Sequence, residues 1–349
     1  MRAPLTRHSH VGGRRRRHST AATASSGAEL KLGHIGAGTF GAVSFELVLL
    51  TNRRVASKKQ AVNSLARQRE FALLSALGRH PCEHAATMLD HCTTKGSQNR
   101  VWMHTVHALA GSALWKVFHF SRGSLPDDRI ARYMFGVASG LSHLRSLDVV
   151  HADCSLKNML LMREDRVQVA DLGAAFSAFA VINYAEEIAT AYARSPERML
   201  GEIIIRSSID VWAFGVQLYC LRAGKRPWLE LPGDDSPLRD TSQLVELTKV
   251  LGCLPVGSPL RQLPKWPALA EVLDVARSSA SWDGWSDAAL ELLKVTMRWD
   301  ASEPASSSCF ASQMLRSRQD RLVGAPSAGS AANSSPASAY QVVPRALMR

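Results

Sequence analysis

The chain has 349 residues, 46% of them apolar and 21% charged, which supports one large core or two modest lobes, and no stretch is long and apolar enough to cross a bilayer. A soluble globular protein is expected, and its formal net charge of +12 is carried mostly at the ends: residues 1–30 contribute +5 and residues 316–349 contribute +4, so the core does not require a nucleic-acid groove. Six Cys stand singly with no C-x-x-C pair and the twelve His form no H-E-x-x-H, so neither a disulfide scaffold nor a catalytic zinc site finds support, no structural metal is expected, and a reducing, intracellular compartment is the simpler reading.

Residues 1–28 are Arg, His, Ser, Ala and Gly with almost no large apolar groups, so they are expected to be disordered, as are residues 318–349. Arg14 to Arg17 suit a nuclear-import or anionic-surface patch or a plain solvated tail, and the Arg-rich, acid-poor start also resembles an organelle transit peptide. The same basic run followed by Ser19 and Thr20 resembles a phosphorylation target.

The ordered unit is expected over residues 29–317, with a β-rich part to about residue 107 and a mainly helical part from about residue 108. It opens with Ile35-Gly36-Ala37-Gly38-Thr39-Phe40-Gly41-Ala42-Val43, a G-x-G-x-x-G in which bare backbone amides could approach phosphate oxygens. A strand-forming run follows instead of a helix, which argues against a dinucleotide-binding turn. In Val55-Ala56-Ser57-Lys58-Lys59, strand alternation puts Ala56 and Lys58 on one face and Lys59 on the other. A helix is expected around Arg69-Glu70-Phe71-Ala72-Leu73-Leu74, although only a short step from Lys58 is left for the connecting turn.

From Arg129 the apolar period becomes helical, with Ile130, Met134, Val137, Leu141 and Leu144 on one face and the helix ending near Leu147. Next comes Val150-His151-Ala152-Asp153-Cys154-Ser155-Leu156-Lys157-Asn158. Two short apolar runs, Met159 to Met162 and Val167 to Ala170, read as strands that would bring Asn158 and the Asp171 of Asp171-Leu172-Gly173 to one place. Further on stand Thr190, Ser195-Pro196-Glu197 and Asp210-Val211-Trp212-Ala213-Phe214-Gly215.

In order and spacing these segments resemble the protein kinase superfamily: the Gly-rich loop, V-A-I-K, the regulatory-helix Glu, H-R-D-x-x-x-x-N, D-F-G, A-P-E and D-x-W-x-x-G. The resemblance spans residues 31–310 and implies a bilobal α+β fold, a small β-rich lobe with one regulatory helix and a larger, mainly α lobe. It implies ATP and magnesium: Ile35 to Gly41, Val43 and Ala56 around the nucleotide, Lys58 on the phosphates paired with Glu70, and Asn158 and Asp171 on magnesium. Asp153 would accept the substrate hydroxyl proton.

Thr190, seven residues before Glu197, matches the Thr that bonds the catalytic Asp in serine/threonine kinases, and the A-P-E and D-x-W-x-x-G pair implies protein substrates. The Lys usual two residues after the catalytic Asp is Ser155, with Lys157 as the nearest substitute. Tyr192 to Glu197, Pro232 to Asp234 and Leu247 to Pro255 resemble the CMGC group of cyclin-dependent and related kinases. A regulatory protein on the Glu70 helix is compatible with the pattern.

Ala152 replaces the Arg that pairs with a phosphorylated activation loop, so activity without that switch is expected. The late motif around Asp300 to Pro304 offers no Arg for Glu197. These departures keep a second reading open, a pseudokinase scaffold that binds nucleotide or partners without turnover. A third, a basic nucleic-acid or membrane-surface protein, rests on the Arg tails alone.

Overall fold

A computed structural model of the chain describes residues 29–38, 41–49, 51–62, 65–182, 189–228, 239–274, 282 and 285–299. Both expected tails, Thr39 and Phe40, Pro232 to Asp234 and Asp300 to Pro304 lie outside these residues.

The N-terminal part is one antiparallel sheet in the order β1-β2-β3-β5-β4, built from β1 (Glu29–Gly38), β2 (Gly41–Val48), β3 (Arg53–Ala61), β4 (Met88–Lys95) and β5 (Val101–Ala108). The Gly-rich segment forms the tip of the β1–β2 hairpin, where Gly38 pairs with Gly41. A side chain at Gly41 is blocked twice over: its φ is +139°, and a Cβ there would sit 2.6 Å from the Lys59 carbonyl oxygen of β3. At Gly36 the same space is open, so packing does not demand glycine and the bare backbone leaves room above the hairpin.

Helix α1 (Leu65–Arg79) runs between the sheet and the rest of the molecule. The short step from Lys58 is absorbed because β3 ends at Ala61 and α1 begins at Leu65, which puts Glu70 in the second turn. Leu73, Leu74 and Leu77 of α1 share the main core with the helical part.

That part comprises β6 (Ser112–Ala113), α2 (Leu114–Ser121), α3 (Asp127–Ser146), β7 (Val149–Val150), β8 (Met159–Leu161), β9 (Val167–Val169), β10 (Phe176–Ser177), α4 (Pro196–Met199), α5 (Ser208–Ala223), α6 (Arg239–Leu251), α7 (Trp266–Leu273) and α8 (Asp287–Thr296). The expected face of α3 is the buried one: Ile130, Met134, Val137 and Leu144 are buried, and Leu141 packs on them half-buried.

Helix α5 sits at the centre, and each residue of its motif has a physical reason. Trp212 is buried and stacks on Trp228 with ring centroids 6.2 Å apart. Gly215 lets α8 approach, since a Cβ would meet Thr296 Oγ1 at 2.4 Å. Asp210 turns its carboxylate up toward the loop after β7. The fold is bilobal α+β, and among the described residues no helix is long and apolar enough to cross a membrane.

Candidate active site

Pairing across β2, β3 and β5 places Val43, Lys58 and Thr105 in one row and Phe45, Ala56 and His107 in the next, all on one face of the sheet. Lys59 leaves by the other face, where its ammonium lies 4.8 Å from the Trp102 ring centroid. The two lysines thus stand on opposite faces, as alternation predicts, with Lys58 on the face of Ala56.

Lys58 Nζ donates to Glu70 Oε1 at 2.6 Å and to Asp171 Oδ1 at 2.8 Å. One buried ammonium thus ties β3, α1 and the segment after β9 together. Burial pushes Lys58 toward losing its proton, but Asp171 and Glu70 outweigh it and hold its pKa above the ordinary value. Burial also works against the Asp171 carboxylate, yet Lys58 and the Gly173 N–H keep its pKa below the usual range. Burial raises the Glu70 pKa, with Lys58 working against that rise.

Beneath it lies the loop after β7. Asp153 accepts at Oδ1 from the Thr190 hydroxyl at 2.7 Å and the Thr190 N–H at 2.9 Å, and at Oδ2 from Asn158 Nδ2 at 2.8 Å. Asn158 Nδ2 also donates to the Asp153 carbonyl, at 2.9 Å. The carboxylate is thus clamped on both oxygens.

His151 joins this loop to the strand above. The Asp153 N–H donates to its Nδ1 at 3.2 Å, which fixes the neutral tautomer, and Nε2–H then donates to the Ala170 carbonyl at 2.9 Å. The Ala170 N–H in turn donates to the Asn158 carbonyl at 2.8 Å, so Asn158 and Asp171 are held as neighbours by backbone bonds.

The whole loop hangs on Asp210, whose two oxygens accept the His151 N–H at 2.7 Å and the Ala152 N–H at 2.9 Å. Ala152 takes φ +61°, a left-handed conformation that costs a residue with a Cβ about 1–2 kcal/mol. Two charge-assisted hydrogen bonds outweigh that cost.

Magnesium fits the oxygens on offer. Asn158 spends its Nδ2 on Asp153, which leaves Oδ1 as its acceptor, and Asp171 gives only one oxygen to Lys58. Among the described residues no group of three or more His, Cys, Asp and Glu could cage a metal. Two hard oxygen ligands completed by phosphate and water suit magnesium better than zinc.

Of the expected nucleotide residues, Ile35, Gly36, Gly38 and Gly41 lie on the hairpin, with Ala37 paired to Ala42. Thr39 and Phe40 fall outside the described residues. Lys157 lies apart from the Lys58 cluster and makes no hydrogen bond to Asp153; its ammonium stands 5.8 Å from the Trp115 ring centroid.

Sequence reasoning passed over three groups. Thr105, fully buried, is the β5 residue opposite Lys58, and strand alternation along β5 could have found it. Arg69, beside Glu70, places its guanidinium carbon 3.7 Å from the Phe176 ring centroid and so links α1 to β10, a contact no local pattern announces. Asp210 was seen as a motif residue, without its bonds to the loop.

Glu197 is buried and accepts from the Ser208 hydroxyl at 3.0 Å. Burial raises its pKa, and no cation is paired with it among the described residues.

Residues 30–318 match the family model described as protein kinase domain, which covers most of the chain. With the lysine bridge, the clamped aspartate and the paired oxygen ligands at the places that family requires, the chain belongs to the protein kinases, which use ATP to phosphorylate proteins.

Proposed function

We propose that the chain is an active protein kinase that transfers the γ-phosphoryl group of ATP to Ser or Thr hydroxyls of protein substrates, with Asp153 as catalytic base. The observation that carries this reading is the clamp on Asp153: both carboxylate oxygens are held, and one of them by the Thr190 hydroxyl. A base fixed in this way can accept the proton of an incoming hydroxyl while orienting its oxygen. That oxygen bonds to the γ-phosphorus, the bridging P–O bond to the β-phosphate breaks, and ADP leaves.

Lys58, kept cationic by Glu70 and Asp171, binds the phosphates and offsets negative charge as the bond breaks. Ile35, Val43 and Ala56 form an apolar ceiling for the base of ATP, with the backbone of Gly36 to Gly41 above its phosphates. Magnesium, when bound to Asn158 and Asp171, neutralises charge on the phosphates and aligns them.

Acceptance of Ser and Thr is supported by Thr190, and a CMGC-like substrate loop by Arg194, which donates to Asp240 Oδ1 at 2.7 Å and ties that loop to α6. Ala152 in the place of an arginine supports activity without loop phosphorylation. A regulatory protein on α1 would act through the Lys58–Glu70 bond. The described cysteines are all free, which supports a reducing, intracellular setting, cytoplasmic or nuclear.

The test is transfer from labelled ATP to a generic protein acceptor with magnesium. Asp153→Asn and Lys58→Met are each expected to lose at least about 10³-fold in rate; Lys58→Met also lowers the melting temperature, because it leaves Glu70 and Asp171 without their shared cation, so both variants are first checked for a folded near-ultraviolet spectrum. A wild type that binds ATP without transferring phosphate would establish the scaffold reading instead.

A further inference from the structure

The flank of Asp153 that faces α2 is built of cations on aromatic rings. The Trp115 N–H donates to the Leu156 carbonyl at 2.9 Å, which anchors the start of α2 to the loop that carries Asp153. Over the Trp115 ring stand Lys157 Nζ at 5.8 Å and the Arg226 guanidinium carbon at 5.3 Å from the centroid. Arg226 also lies 4.4 Å from the ring centroid of Tyr192, two residues after the Thr190 that bonds Asp153. Lys157, Trp115 and Arg226 thus form one continuous shelf over the buried Tyr192, beside the loop that carries the catalytic carboxylate.

Lys116 and Lys225, next in sequence to Trp115 and Arg226, are exposed, as is Lys157. Among the described residues no carboxylate lies within ion-pair distance of Lys116, Lys157 or Lys225. Like charges gathered on a surface repel one another, and an incoming carboxylate relieves that repulsion while leaving the aromatic contacts in place. An extended peptide advances about 3.3 Å per residue, so side chains one to three positions from an acceptor at Asp153 fall along this flank.

We propose that this shelf selects protein substrates with Asp or Glu close to the acceptor Ser or Thr, and that Lys157 is a specificity-determining residue. The inference rests on the phosphotransfer reading for its acceptor, but its test reads binding separately from transfer.

Fluorescent peptides with a central Ser flanked by Glu, by Ala or by Lys would be titrated against the full chain by anisotropy, and the same peptides assayed for transfer. Expected is at least about tenfold tighter binding of the Glu peptide than the Lys peptide, a ratio that shrinks with added salt. Lys157→Glu is expected to erase or invert that ratio. A full chain with Arg14, Arg15, Arg16 and Arg17 all changed to Gln is expected to keep it, which separates the shelf from the basic N-terminal segment.

Equal affinities in the wild type, a ratio lost in the four-Gln chain but kept in Lys157→Glu, or a Lys157→Glu that weakens all three peptides alike would each overturn the proposal. An intact ratio with no transfer to any peptide would overturn the phosphotransfer reading and leave the acid-selective shelf standing.

Discussion

Two buried carboxylates support the lower half of the site, and they are partnered very differently. Asp210 accepts two backbone N–H groups, from His151 and Ala152, and so determines the path of the catalytic loop. Glu197, below the substrate loop, accepts one hydroxyl, from Ser208. Burial raises the pKa of both, but Asp210 is repaid by two backbone amides, whereas Glu197 has weaker compensation from hydroxyl groups. A buried charge contributes to function when it organises backbone, and otherwise mainly costs desolvation.

Breaking the stronger side of this comparison should have the largest effect. Asp210→Asn puts an amide N–H against a backbone N–H donor, so one bond is lost and one donor stranded. A loss of about 3 kcal/mol in unfolding free energy is expected by denaturant titration, together with at least tenfold slower transfer. Retention of wild-type stability would show that the loop does not depend on Asp210.

Glu197→Gln tests the weaker side and should move stability by no more than about 1 kcal/mol, in the favourable direction at neutral pH. The sign follows from the raised folded-state pKa. An acid held that way is destabilising while ionised, and the penalty fades as pH falls through the folded value toward the ordinary 4.5. The advantage of Gln over Glu should therefore be largest near pH 8 and absent below the ordinary value. Melting curves across that range would read it, and a large loss at neutral pH would reveal an ionic partner for Glu197.

The smallest effect is expected at Ala152. Glycine relieves the left-handed strain but adds freedom to the unfolded chain, for a net gain of about 0.5 kcal/mol with transfer unchanged. A loss instead would mean that the buried methyl group packs more tightly than its conformation costs.

Much of the site could be read in the chain because its parts are local. Placing Lys58 and Lys59 on opposite faces needed only the two-residue period of a strand, and Asp153 lies on the loop after β7, with Asn158 just before β8 and Asp171 just after β9. The helix bearing Glu70 was anticipated as well, and because β3 ends at Ala61 and α1 begins at Leu65 the short spacing from Lys58 still places Glu70 within the helix.

Long-range partners were a different matter. Thr105 opposite Lys58, Arg69 on Phe176, Asp210 under the loop and the meeting of Trp115, Lys157 and Arg226 all join residues from separate elements. What the sequence by itself determined was the two-lobed α+β plan and the candidate residues of the site, because periodicity and motif spacing are properties of neighbouring residues. Which charges are paired, which carboxylate bears the loop and which cations gather on Trp115 was decided only by tertiary structure, because burial and distance between remote segments exist only once the chain has packed.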